Sequence, residues 1–282
     1  MTISVRIQHH PARHQLLDRL MPGLVAFEDV RVVAPPPAGP LATYLACLSE
    51  PFEGDWLLVL QDDAIPADGF HAAVCGHLRR FDTLVALFLA GAPPSAARAA
   101  TRAHSLGHDH VTLTGMPFVP TVALAWPRRV VELFHEWWAN EDPQLVARRL
   151  KLGNDDAVIG QFARESSEAV TVLVPSIVQH PDDAPSTCGR RASNGRNRYR
   201  VAALFDPVAT PPDARYILGG QPNTSPEEDT MTTQNTQTTQ TQEWGGRTFY
   251  STSCSCGYHS NWTPDAKIDA RKAAAHAKKC GR

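Results

Sequence analysis

Asp62 and Asp63 stand side by side where the apolar run Trp56 to Leu60 ends. Two neighbouring carboxylates at the end of a buried strand repel each other and lose hydration, and a hard divalent cation between them relieves both effects. On residue types alone the pair reads equally as such a site and as a solvated turn before Ala64-Ile65-Pro66. A second acidic pair, Asp155-Asp156, follows Asn154. A carboxylate in a closed site near others can have its pKa raised and act as a general base. Asn154 as an N-cap, with two acids in the first helical turn, describes a capped helix equally well. His180 follows a further apolar run, Val170 to Val174, and reads both as a structural histidine and as a ligand suited to Mn²⁺. Near the C-terminus Cys254, Cys256, His276 and Cys280 form the pattern C-x-C-x19-H-x3-C. Four such ligands suit tetrahedral zinc, with His259 as an alternative.

The elements that must position these residues alternate along the first 180 positions. Ile3 to Ile7, Val30 to Val33, Trp56 to Leu60, Leu84 to Leu89, Val111 to Thr114, Thr121 to Ala125 and Val170 to Val174 read as strands. Helical patterns cover Gln15 to Leu20, Leu41 to Ser49, Gly69 to Phe81, Arg128 to Asn140, Leu145 to Leu152 and Ala157 to Arg164. Ala92 to Ala103 reads as a loop or helix, a candidate flap. This alternation argues for a layered α/β domain around a mixed or parallel sheet. The continuous WLLVL run suits a central strand covered on both faces, and ligands bind at the ends of such strands. Val131, Phe134, His135 and Trp138 share one helical face and read as core, as do Trp126 and Trp137. The loop Ser186 to Arg198 carries four arginines and reads as a solvated basic loop more readily than as a clamp on a diphosphate.

With 282 residues, 43% of them apolar, the chain can bury a substantial core and carry a second small unit. The apolar runs stop far short of the ~20 residues of a membrane span, and the start MTISVRIQHH lacks the pattern of a secretory signal. A cytoplasmic protein is therefore expected, with no membrane partner. In such a compartment Cys47, Cys75 and Cys188 read as small buried residues and the C-terminal cluster as a metal site. Residues 243 to 282 hold seven Lys or Arg against three acids, leaving 20 basic and 26 acidic residues in the remainder. Charge alone excludes the large part as a nucleic-acid binder. Met231 to Gln242 has no charge and no periodicity and reads as a flexible linker. The expected division is 1–229, a linker at 230–242, and 243–282. In the last part, Thr248 to Ser253 and Tyr258 to Trp262 read as strands and Pro264 to Lys279 as a helix placing His276 and Cys280 on one face.

Three segments carry a family resemblance. Trp56-Leu-Leu-Val-Leu-Gln-Asp-Asp-Ala-Ile-Pro66 resembles the strand-plus-acidic motif of GT-A glycosyltransferases, with Gln61 departing from the acids many relatives show there. Asn154-Asp155-Asp156-Ala-Val-Ile-Gly160 is similar to the acidic helix start of inverting members, and Val174-Pro-Ser-Ile-Val-Gln-His180 to the last sheet strand. Together they resemble glycosyltransferases encoded by actinobacterial phages, which would place the protein in a host cytoplasm. The resemblance implies a GT-A-like mixed sheet flanked by helices and a metal-dependent transfer of sugar, with inversion, from a nucleotide diphosphosugar to an acceptor hydroxyl. Asp62, Asp63 and His180 would hold Mn²⁺ or Mg²⁺, Asp156 would take the acceptor's proton, and Arg13 and Asp155, with Asp62, would meet the donor. The acceptor could be virion protein, modified DNA or a glycan. The C-terminal pattern resembles a ββα zinc finger, whose structural Zn²⁺ would support binding of nucleic acid or protein. Two alternatives stand: a nucleotidyltransferase making nucleotide sugars, against which QHHPARH lacks a glycine-rich loop, and a zinc-dependent binding protein on a degenerate GT-A-like scaffold.

Overall fold

The computed structural model describes residues 1–34, 39–91, 94–181 and 201–209, the backbone of 237–244 and 247–254, and Ala270 and Ala274. The chain divides into two compact units, Met1–Gly219 and Gly220–Arg282. No helix among the described residues is long and apolar enough to cross a membrane.

In chain order the first unit holds β1 (Ile3–Gln8), α1 (His14–Leu20), β2 (Asp29–Val33), α2 (Pro40–Ser49), β3 (Trp56–Gln61), β4 (Ile65–Pro66) and α3 (Phe70–Leu78). There follow β5 (Leu84–Ala86), α4 (Pro94–Ser105), β6 (His110–Leu113), β7 (Ala123–Pro127), α5 (Arg128–Ala139), α6 (Pro143–Leu152), α7 (Asp155–Glu165), β8 (Val170–Leu173) and β9 (Val178–Gln179). Seven strands form one mixed sheet in the order β2-β1-β3-β7-β5-β8-β6, while β4 and β9 pair separately. β1 runs parallel to β2 and β3, and β5 parallel to β8, whereas β7 and β6 run against their neighbours. This is the expected fold class, a mixed sheet flanked by helices.

β3 is central and covered on both faces, as its unbroken apolar run requires. Leu58 and Leu60 join Ile7, Leu17, Leu20 and Val74 in one core, and Leu57 and Val59 join Tyr44, Trp126, Phe134 and Phe162 in the other. Each such side chain contributes about 1.5–3 kcal/mol by leaving water. Trp126 is fully buried, and its Nε1 donates to Tyr44 Oη at 3.0 Å. Cys47 is buried and its thiol is pushed up to about 12 by burial, so it behaves as the small apolar residue expected. Cys75 is half-buried, and Cys188 lies outside the described residues. The described part of the Ala92–Ala103 stretch belongs to helix α4, with Ala96, Ala100 and Ala103 turned inward.

In the second unit β10 (Gln237–Trp244) pairs antiparallel with β11 (Arg247–Cys254), Gln237 opposite Cys254 and Trp244 opposite Arg247. The last six residues of the expected linker are therefore strand. Threonine is branched at Cβ and favours extended backbone without help from an apolar pattern. The expected strand Thr248–Ser253 lies within β11, but its observed partner is β10. Ala270 and Ala274, inside the expected helix, are helical. Tyr258–Trp262, Cys256, His259, His276 and Cys280 lie outside the described residues.

Candidate functional site

The site grows from the ends of two adjacent parallel strands. Gln8 closes β1 opposite Gln61, which closes β3, and the ladder continues one step further as Asp62 N donates to Gln8 O at 3.1 Å. Alternation along β3 turns Gln61 to the side of α7, where its Nε2 meets Thr121 Oγ1 at 3.4 Å. Asp62 and Asp63 follow in the turn that leaves the strand. They are 1% and 2% exposed.

Asp62 is held by donors from the turn after β1. Its Oδ2 accepts from His9 Nδ1 at 3.0 Å and His10 N at 2.8 Å, and its Oδ1 from Arg13 Nη1 at 3.1 Å. The same Arg13 nitrogen reaches Asp63 Oδ2 at 2.5 Å, so one guanidinium supplies the positive charge between both buried carboxylates. Arg13, read from the sequence as a lining of the nucleotide pocket, is buried among the acids. A short 3-10 turn, Pro11–Arg13, sets it there, with His10 Nδ1 accepting from Ala12 N.

His180 arrives from a distant segment through strand pairing. β9 runs antiparallel to β4 with Gln179 opposite Ile65, which brings the next residue beside Asp63. His180 Nε2 lies 2.9 Å from Asp63 Oδ2. Its Nδ1 faces Pro181 O at 2.7 Å, and a carbonyl can only accept, so Nδ1 carries a hydrogen. A neutral ring then turns the Nε2 lone pair onto a carboxylate oxygen, an arrangement completed by a cation, proton or metal, shared between the two atoms. A carbonyl fixing Nδ1–H is also the support that metal-bound imidazoles receive. The separation matches the ~3 Å between neighbouring ligands of an octahedral cation with bonds of about 2.1 Å. Asp63 and His180 thus fit a divalent ion, while Asp62 in this arrangement is committed to protein donors. Among the described residues no three His, Cys, Asp or Glu side chains surround a common point as a metal cage would.

Gln179, given no role in the sequence beyond its place in the strand before His180, secures this corner: its Oε1 accepts from His180 N at 2.9 Å and Ala202 N at 2.7 Å. The segment 201–209 crosses the ends of the strands by isolated bridges, Ala90 with Ala202, Ser176 with Phe205 and Asp68 with Val208. The arginine-rich loop 186–198 lies outside the described residues.

The second acidic pair stands at the other side of the same edge. α6 is capped by Asp142 and ends on Gly153, whose left-handed φ of 66° turns the chain sharply into α7. Asn154 holds the N-cap position but makes no side-chain cap bond; the carboxylates do that work, Asp155 Oδ1 accepting from Asp156 N at 2.9 Å and Asp156 Oδ1 from Ala157 N at 2.7 Å. Asp155 is buried and its Oδ2 accepts from Gln8 Nε2 at 3.3 Å. Burial, helped by the charge of Asp156, pushes its carboxyl up to about 6. Asp156 is half-buried, with its carbonyl accepting from Val119 N at 3.1 Å. Gly160 lets the loop at Pro117 approach, since a Cβ there would stand 2.6 Å from Pro117 O. In the sequence Gln8 is only the first residue of QHHPARH; the strand register reveals its part in the site.

No protein-family model matches the chain. No curated protein matches it. Among solved structures it is similar to the 4-diphosphocytidyl-2C-methyl-D-erythritol synthase of Anaerococcus prevotii, at 12% identity and a TM-score of 0.33, over 61% of this chain and 88% of that one. At that distance the likeness says nothing of this chain's substrate or reaction.

Proposed function

We propose that the N-terminal unit is a glycosyltransferase that binds a nucleotide diphosphosugar and passes the sugar to an acceptor hydroxyl. The observation that carries this reading is the meeting of Asp62, Asp63, Arg13 and His180 in one buried cluster at the end of β3, with the acidic start of α7 at the end of neighbouring β1. Asp63 and His180 would hold Mn²⁺ or Mg²⁺, which when bound neutralises charge developing on the leaving diphosphate. Asp62 orients the turn after β1 through His9 and His10. Asp156, at the mouth of α7, would take the proton of the acceptor hydroxyl, and Asp155 with Gln8 would face the donor. Nucleotidyl transfer uses a similar sheet and cation, and the basic Arg13 in the turn after β1 favours it; the absence of glycine from His9–Arg13 weighs against a backbone cradle for phosphate.

For the C-terminal unit the reading is a structural Zn²⁺ held by Cys254, Cys256, His276 and Cys280, serving to bind nucleic acid or an acidic protein surface. A calorimetric screen of nucleoside diphosphates and their sugar conjugates, with and without Mn²⁺, tests site and class together. Binding of a diphosphosugar that requires Mn²⁺, followed by release of the nucleoside diphosphate, supports glycosyl transfer. Release of pyrophosphate from a nucleoside triphosphate and a sugar phosphate supports the second reading.

A further inference from the structure

We propose that Arg13 is a built-in counter-cation that exchanges with the divalent ion: the metal displaces its guanidinium from Asp62 and Asp63, and the displaced group becomes a ligand of the diphosphate. This rests on the metal-dependent reading above and adds a competition within it. Two carboxylates buried to this extent cannot stay ionised side by side without a compensating charge. In the structure Arg13 Nη1 brings a fixed positive charge to both, 3.1 Å from Asp62 Oδ1 and 2.5 Å from Asp63 Oδ2. The oxygen it shares with His180, Asp63 Oδ2, lies 2.9 Å from His180 Nε2, so a cation bridging those two atoms uses it. A dication and the guanidinium therefore compete for the same oxygen.

The anchoring of Arg13 suits such an exchange. It ends a three-residue 3-10 turn instead of lying inside a strand, and the donors that hold Asp62 in its absence, His9 Nδ1 and His10 N, come from the same turn but are independent of the guanidinium. Asp62 would remain oriented when Arg13 leaves. A planar guanidinium freed beside a metal-bound diphosphate meets the anion it binds best.

The test is calorimetry on the full chain, comparing wild type with Arg13→Met, which keeps bulk and removes charge. Mn²⁺ alone should bind the variant about tenfold or more tightly than wild type, because the competitor is gone. At saturating Mn²⁺, pyrophosphate should bind the variant about tenfold more weakly, because the released ligand is missing. The apo variant should also melt several degrees lower and recover with Mn²⁺. If Arg13→Met does not fold, Arg13→Gln, which keeps one N–H for a carboxylate, gives the same two readings. Mn²⁺ affinity that stays level or falls, or pyrophosphate affinity that stays level, overturns the exchange while leaving the metal site standing. Wild type and variant that both ignore Mn²⁺ overturn the metal reading itself.

Discussion

Gln8 Nε2 donates to Asp155 Oδ2 at 3.3 Å, joining the end of β1 to the start of α7. The same nitrogen donates to Pro40 O at 2.7 Å, which fixes the orientation of the amide because a carbonyl can only accept. Asp155 thus takes a hydrogen bond yet remains a buried acid whose ionisation is disfavoured, and its raised pKa has a consequence for stability.

Because the folded state holds the proton of Asp155 up to about 6, against 3.8 for an exposed carboxyl, the native chain binds more protons than the unfolded chain between those values. Stability therefore falls as pH rises through that window and levels off above it. Asp155→Asn removes the ionisation and keeps an acceptor for Asp156 N. At pH 8 it should be more stable than wild type by up to about 3 kcal/mol, with the gap closing toward pH 4. Urea denaturation at both pH values measures this; an equal effect at both would place Asp155 in contact with solvent.

Asp156→Asn separates catalysis from capping. As the base it should retain Mn²⁺-dependent donor affinity while turnover drops by roughly two to four orders of magnitude. The side-chain acceptor for Ala157 N survives in asparagine, so the melting temperature should hold. Turnover within a few-fold of wild type would leave capping as the residue's whole role.

Gly160→Ala probes the contact that holds the Pro117 loop against α7. Alanine gains about 1 kcal/mol of helix propensity on an open helix. Here the added Cβ meets backbone, Pro117 O at 2.6 Å and Phe118 N at 2.9 Å, and backbone yields poorly. A net loss of about 1–3 kcal/mol is expected in urea denaturation. A gain in stability would show that the loop yields freely.

The sheet was legible because its strands are apolar runs that end at chemistry: Trp56–Leu60 at the acid pair, Val170–Val174 ahead of His180. The pairing of β4 with β9, two residues each, is invisible in sequence, yet it helps to bring His180 to Asp63. The sequence offered Arg13 as a contact for the donor, and the structure places its guanidinium between two carboxylates of its own chain, a difference no spacing rule can foresee. The tract Gln237–Gln242 was misread because polarity and missing periodicity outweighed the extended preference of its threonines. Gln8 and Gln179 hold the site through hydrogen bonds that only strand register and loop closure create.

The zinc reading now applies to a fragment beginning at Gly220, so that β10 is kept with β11. On that reading its four ligands would be neutral imidazole or thiolate, and so small a unit would draw much of its folding free energy from metal. Circular dichroism of residues 220–282 should gain helix with one equivalent of Zn²⁺ and lose it with chelator, and Cys280→Ser should greatly weaken the response. A helix indifferent to zinc would remove the metal from the unit.

On the proposed function, Asp63 would gather the cation that holds a nucleotide diphosphate. Titration calorimetry of the full chain with the diphosphate selected by the donor screen, in the presence of Mn²⁺, tests it against Asp63→Asn. Asparagine keeps the shape and an acceptor for Arg13, so the fold should persist and the apo melting temperature should change little. Mn²⁺-dependent binding should vanish in the variant. Binding retained at wild-type affinity would contradict the account.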